Sequence, residues 1–190
     1  MDSIKVHDHF QRHAQVMAMV AEQLSASIVE AASVMARTLR KGGKVLVMGN
    51  GGSAADAQHL AAELVGRFLC ERRALPAIAL TTDTSILTAV GNDYGFDQVF
   101  SRQVEALARP GDVVIGISTS GKSSNVLVAL TAARAAGCLT IGLLGCDGGS
   151  IAGLVDLALV IPVQETPHIQ EAHLTIIHIL CDLIEQDMCV

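Results

Sequence analysis

Five short apolar runs recur along this chain: Lys44–Met48, Pro76–Leu80, Asp112–Ile117, Leu139–Leu144 and Leu157–Ile161. They are continuous rather than alternating, the pattern of strands covered on both faces. Between them lie stretches with helical character, at about 54–67, 86–90, 97–108 and 124–136, and a closing helix spans 168–188. Strand, helix, strand in succession predicts right-handed crossovers and a parallel sheet with helices on both sides. The expected fold is an α/β three-layer αβα sandwich around a five-stranded parallel sheet. The first three runs end in polar, Gly- or Ser-rich loops: Gly49-Asn50-Gly51-Gly52-Ser53, Thr81-Thr82-Asp83-Thr84-Ser85 and Ser118-Thr119-Ser120-Gly121. Sheets of this type bind ligands at the carboxyl ends of their strands, so these loops mark the expected site edge.

Residues 4–40 read as helix, with Val16, Val20, Leu24, Ile28, Ala32 and Met35 at three- and four-residue steps and Ser25 and Ser27 marking a break. A small sheet cannot cover so much helix, which predicts a homo-oligomer with this region at its interface. At 190 residues the chain suits one domain over 1–190. Only 3% of it is aromatic, without Trp, so Ala, Leu, Val and Ile must fill the core. The net charge of −6 disfavours nucleic-acid binding, which needs clustered basic residues; Arg67, Arg72 and Arg73 make only a short basic patch. Five scattered Cys without a C-x-x-C pair fit free thiols in a reducing cytoplasm. The N-terminus has no apolar signal-peptide region, and no apolar run is long enough to span a membrane.

The run Ser118-Thr119-Ser120-Gly121-Lys122-Ser123-Ser124 joins a strand to a helix. A helix N-terminus offers N–H donors and partial positive charge, and hydroxyls at Ser118, Thr119, Ser120 and Ser123 add donors for a phosphate. A plain Ser-capped turn needs one hydroxyl, not this density. Lys122 reads as solvated, since the Walker pattern is absent. In the first loop, Gly residues admit close backbone approach, and Asn50 and Ser53 can bond a hydroxyl or phosphate oxygen. Ala54 stands where a third Gly would complete a dinucleotide fingerprint, which argues against such a cofactor. His59 and Glu63 are spaced i, i+4 and share a helix face. Alone, such a pair is more often a surface hydrogen bond than a metal site; the neighbouring loop and the distant Gln170 and His178 reverse the preference. Those two lie ~80° apart round the last helix, on a Leu/Ile-rich side where polar groups need partners. They are either bonded core polars or ligands. Glu171 and His173 read as solvated and His168 as a loop residue. His7, His9 and His13 carry no signal. Asn92-Asp93-Tyr94-Gly95 fits a loop or Asx-turn, with Asn92 and Asp93 also able to bond sugar hydroxyls.

Taken together, Asn50 to His59, Gly91 to Tyr94, Ser118 to Gly121, Asp147 to Gly149 and Ile169-Gln170-Glu171-x-His173 resemble the phosphoheptose isomerases, a family of sugar-isomerase (SIS) domain proteins. The likeness runs in order through nearly the whole chain. It implies a flavodoxin-like SIS topology with a long N-terminal helical region, and a homotetramer with active sites between subunits. The implied reaction converts D-sedoheptulose 7-phosphate to D-glycero-D-manno-heptose 7-phosphate, the first step of bacterial heptose precursor synthesis for lipopolysaccharide or other surface glycans. The resemblance further implies one zinc per subunit on His59, Glu63, Gln170 and His178, and substrate contacts from Asn50, Gly51, Gly52, Ser53, Glu63, Asn92, Asp93, Ser118, Thr119, Ser120, Ser123 and Gln170. Glu63 and His178 are the best acid/base pair for a ketose–aldose proton transfer. The segment Cys70 to Leu75 lacks an Arg-Pro pair often found there. Two rivals exist: a non-catalytic paralogue that binds the replication-initiator protein, and a sugar-phosphate sensor. The first need not keep Glu63 and His178; the second is usually fused to a DNA-binding domain, for which this chain has no room.

Overall fold

A computed structural model describes residues 3–189; positions 1, 2 and 190 of the expected 1–190 domain lie outside the described residues. The chain runs α1 (Ser3–Arg40), β1 (Val45–Gly49), α2 (Gly52–Val65), β2 (Ala77–Ala79), α3 (Thr84–Tyr94), a 3-10 turn (Phe96–Gln98), α4 (Ser101–Leu107), β3 (Val113–Ser118), α5 (Ser124–Ala135), β4 (Leu139–Gly145), α6 (Gly149–Ala152), β5 (Leu157–Ile161) and α7 (Thr166–Met188). The strands pair in parallel in the order β2-β1-β3-β4-β5. This is the expected fold.

Period-two geometry divides each strand between two cores. Val45, Val47, Ile115, Ile117, Ile141 and Leu143 pack with α1, α2 and α7. Leu46, Met48, Val114 and Leu144 pack with α4 and α5 on the opposite face. Fully buried side chains of this kind each contribute ~1.5–3 kcal/mol. The strand starts are stapled by Asp112, buried at the head of β3. Its carboxylate accepts from the backbone N–H of Lys44 (2.9 Å), the Lys44 ammonium (2.5 Å) and the backbone N–H of Arg109 (2.8 Å). Burial pushes this carboxyl up, but the Lys44 and Arg109 bonds outweigh it, leaving it below the usual carboxylate range.

Three expectations change. The break at Ser25 and Ser27 is absent, because α1 is continuous and the Ser25 hydroxyl turns back to the Ala21 carbonyl instead of ending the helix. Gly91 to Tyr94 is not a loop; it is the last turn of α3, which starts on an Asp83 cap accepting from the Ile86 N–H at 2.9 Å and carries helix through to Gly95. Residues 97–108 divide into the 3-10 turn and α4. Among the described residues, no helix is long and apolar enough to cross a membrane.

The order of strands places a topological switch between β1 and β3: the chain goes outward to β2 and returns. Crevices form at such points, beyond the carboxyl ends of the strands. The loops after β1 and β3 lie side by side there, with Gly49 in register with Ile117.

Candidate active site

The β1 loop turns at Gly51 (φ 56°) directly into α2. That places His59 and Glu63 on successive turns of one face, with the Glu63 carboxylate 3.2 Å from His59 Nε2. From α7, His178 brings its own Nε2 to 3.1 Å from the same His59 nitrogen. The two rings are tilted, with centroids 5.0 Å apart. Phe68, in the loop after α2, stacks on the outer face of His178 at 5.6 Å. Thus His178 meets a pair more than a hundred positions away in the same chain; Glu63 and His178 meet through His59, not by a bond to each other.

Gln170 lies elsewhere on α7, packed on the phosphate-type loop. A Cβ added at Gly52 would stand 2.3 Å from the Gln170 amide nitrogen, so a larger residue there would push the amide aside. No hydrogen bond joins Gln170 to the His59 trio among the described residues.

The β3 loop carries the predicted hydroxyls. Ser118 Oγ and Ser123 Oγ are 2.9 Å apart, and Ser120 Oγ accepts the Lys122 N–H at 3.2 Å. Ser118 and Ser53 are buried, Ser120 exposed and Thr119 and Ser123 half-buried. Lys122 is exposed, as expected. Gly121 (φ 65°) sits so close to the Gly148 carbonyl that a Cβ would approach it to 2.1 Å, which ties the hydroxyl loop to the loop after β4. Asn50 and Asn125 exchange two amide bonds of 2.9 Å, linking the β1 loop to the first turn of α5. Asn125 was not among the expected residues. Its only signal was a polar residue at a position that α5 buries. Asn92 and Asp93 bond each other at 2.7 Å at the exposed end of α3, and among the described residues no hydrogen bond joins them to the other loops.

Several polar residues read as solvated or uninformative behave otherwise. Arg72 is buried: its guanidinium donates to the Glu63 carbonyl (2.7 Å) and the Leu64 carbonyl (2.9 Å), closing the end of α2. Its Nε stands 3.1 Å from Glu185, close enough for an ion pair although that N–H is not aimed well enough to count as a hydrogen bond. Glu185 also accepts the backbone N–H groups of Phe68, Leu69 and Cys70 at 2.7, 2.7 and 2.8 Å. Burial raises its carboxyl; these bonds and Arg72 overcome that and hold it low. His173 is fully buried, not solvated. Burial drives its pKa down to about 4, and Leu144's backbone opposes the shift without completing a hydrogen bond. His168 lies at the helix start, in the first turn of α7, and is buried. His9 and His13 are ordered on α1, and with His168 they converge on Glu171. Burial pushes the Glu171 carboxyl up, but bonds from His168, His13 and His9 prevail and set it at about 2.

Two imidazole nitrogens and a carboxylate oxygen are donor types that zinc prefers, and here both other groups approach His59 Nε2. Their spacings of 3.1 and 3.2 Å are near the ~3.3 Å edge of a tetrahedron with 2.0–2.2 Å metal bonds. Without a cation, one of the two facing Nε2 atoms must carry a proton and the other a lone pair. Glu63 and His178 each reach His59 but do not close with it on one centre in this arrangement, and Gln170 packs on the loop beside them.

The SIS domain family model matches residues 8–145. The chain is 62% identical over 182 residues to the phosphoheptose isomerase of Geotalea daltonii, spanning 96% of this chain and 95% of that protein. It is 60% identical over 188 residues to that of Syntrophotalea carbinolica, spanning 99% and 96%. Among solved structures it is similar to phosphoheptose isomerase GmhA from Neisseria gonorrhoeae, with a TM-score of 0.92, 48% identity and coverage of 97% and 98%. It is also similar to a phosphoheptose isomerase from Francisella tularensis, with a TM-score of 0.91, 40% identity and coverage of 98% and 100%.

Proposed function

The chain belongs to the phosphoheptose isomerases of the SIS domain family, and on that premise we propose that it interconverts D-sedoheptulose 7-phosphate and D-glycero-D-manno-heptose 7-phosphate. The observation that carries the site assignment is the meeting of Glu63 and His178 at His59 Nε2, on the sheet edge that also bears the hydroxyl loop. The replication-initiator alternative finds no support among these relatives.

The reaction moves one proton from C1 to C2 and the carbonyl from C2 to C1. It needs a group for the carbon-bound proton and a group for the oxygen-bound one. Glu63 takes the C1 proton and returns it to C2. His178 gives a proton to the C2 oxygen and accepts the one leaving the C1 hydroxyl, so neither residue changes over a full cycle. Ser118, Thr119, Ser120 and Ser123, with the N-terminus of α5, hold the phosphate. Asn50, Gly51, Gly52, Ser53 and Gln170 position the sugar chain, and Asn92 and Asp93 supply further hydroxyl contacts. His59, Glu63 and His178, with Gln170 drawn in from the neighbouring turn, would hold one zinc per subunit, which would polarise the carbonyl and hydroxyl oxygens.

We assign 1–190 to one SIS domain that assembles as a homotetramer through residues 1–40. Val6 and Phe10 on α1 are 58% and 69% exposed in the isolated chain, and Phe96, just after α3, is 65% exposed; faces this apolar are covered by partner subunits in most soluble proteins. The product enters surface-glycan precursors such as those of lipopolysaccharide, in the cytoplasm. The test is incubation with sedoheptulose 7-phosphate, with and without a chelator, and detection of the aldoheptose. Glu63→Gln should abolish turnover while leaving fold and ligand binding largely intact. Full activity of that variant would remove Glu63 from its role.

A further inference from the structure

Away from the active-site trio, α1 and α7 carry a second convergence of ligand-type atoms. His9 and His13 are one turn apart on α1; His168 and Glu171 are one turn apart at the start of α7. His9 Nε2 lies 3.1 Å from Glu171 Oε1, and His13 Nδ1 and His168 Nδ1 lie 2.8 and 2.9 Å from Oε2. The His9 and His168 rings lie tilted against each other with centroids 4.4 Å apart. The ligand atoms of His9, His168 and Glu171 all fall within 4.8 Å of one another, a grouping that no other three His, Cys, Asp or Glu among the described residues make. One turn of α7 earlier, Arg12 makes a two-pronged bond to Glu165 at 2.9 and 3.2 Å, so the helices are already held in register at this point.

The arrangement differs from an ordinary surface ion cluster in its donor types. The Glu171 carboxylate gathers three imidazoles, His9 at Oε1 and His13 and His168 at Oε2, and each facing ring nitrogen becomes a metal-ligating lone pair once it gives up its proton. A divalent cation seated among them would replace those protons and be bound by the ring lone pairs and the carboxylate together. Imidazole with carboxylate is the ligand set of zinc, nickel and copper, not of calcium or magnesium, which take oxygen. His168 is 7% exposed and Glu171 34%, whereas His9 is 51% exposed, so the site is anchored on α7 and open to solvent on the α1 side.

We propose that His9, His168 and Glu171, with His13 beside them, form a second metal site, for a divalent cation of the zinc–nickel class, that clips the start of α1 to the first turn of α7. It is separate from the His59 trio, and because His168 and Glu171 flank Gln170 it steadies the turn from which that amide reaches Gly52.

The experiment is calorimetric titration of chelator-stripped full-length chain with Zn2+, repeated with Ni2+, alongside measured metal content. Wild type should take two equivalents. His9→Gln with His13→Gln, both on the outer face of α1, should lower this to one. His59→Ala with His178→Ala should also leave one, and that remaining equivalent should weaken by more than about tenfold when the two α1 changes are added, since even outer-shell changes at metal sites cost 10–100-fold. The wild-type stoichiometry stands whether or not the active-site variant folds. A wild-type stoichiometry that the His9/His13 changes leave untouched, or an equivalent in the His59/His178 variant untouched by them, overturns the proposal; a single wild-type equivalent that those changes remove refutes only the active-site zinc.

Discussion

Glu185→Ala tests whether a buried ion pair far from any substrate holds the active-site wall. Glu185 is 1% exposed and its carboxylate is shared among three backbone N–H groups at 2.7, 2.7 and 2.8 Å and the Arg72 guanidinium at 3.1 Å. Removing it leaves a buried positive charge without a counter-ion, at ~3–5 kcal/mol for breaking such a pair. The three orphaned N–H groups sit in a loop that can relax toward water, so their separate penalties do not simply add. For a domain of this size each kcal/mol moves Tm by ~2–4 °C, so a fall of ~6–20 °C follows. The loss should also reach the site. The bonded loop is the one that stacks Phe68 on His178, and Arg72 grips the Glu63 carbonyl. The assay is urea unfolding with thermal melts, read beside kcat and KM below the variant's Tm. Arg72→Met combined with Glu185→Leu should recover much of the stability, because an apolar pair carries no uncompensated charge. A Glu185→Ala variant within ~1 kcal/mol of wild type would refute the reasoning, since no buried charge could then have been stranded.

Gly52→Ala should displace the Gln170 amide, whose nitrogen lies 2.3 Å from the added Cβ. Because the clash is with the end of a flexible side chain, stability should change by less than ~1 kcal/mol, while kcat/KM falls at least tenfold in the isomerase assay. Gly121→Ala meets backbone instead, 2.1 Å from the Gly148 carbonyl at a φ of 65°. It should destabilise by ~2 kcal/mol or more and weaken inorganic phosphate binding in a competition assay. Asp112→Asn should lose ~1–3 kcal/mol at neutral pH, measured by urea unfolding. The folded Asp112 carboxyl lies below its unfolded value of 3.8. Its contribution is therefore present above that value and is lost as pH falls through the folded pKa. Wild type should lose stability in that acid window by more than the variant does.

Short apolar runs and the loops that end them were enough to predict the strands, their parallel pairing and the edge carrying the site, because a strand covered on both faces must be apolar throughout and its polar neighbours must fall at its ends. Local spacing also showed that His59 and Glu63 share a face. Tertiary structure alone decided the rest. Nothing near Arg72 or Glu185 in sequence says that a basic patch residue and a C-terminal acid, 113 positions apart by their numbers, bury together, and the same is true of Asn50 with Asn125. His9 and His13 looked like residues of an uninformative N-terminus until α1 crossed the start of α7 and aimed them at Glu171. The difference is physical: hydrophobic periodicity is written in neighbouring residues, whereas the partner that satisfies a polar group is chosen by where the packed helices bring distant ones.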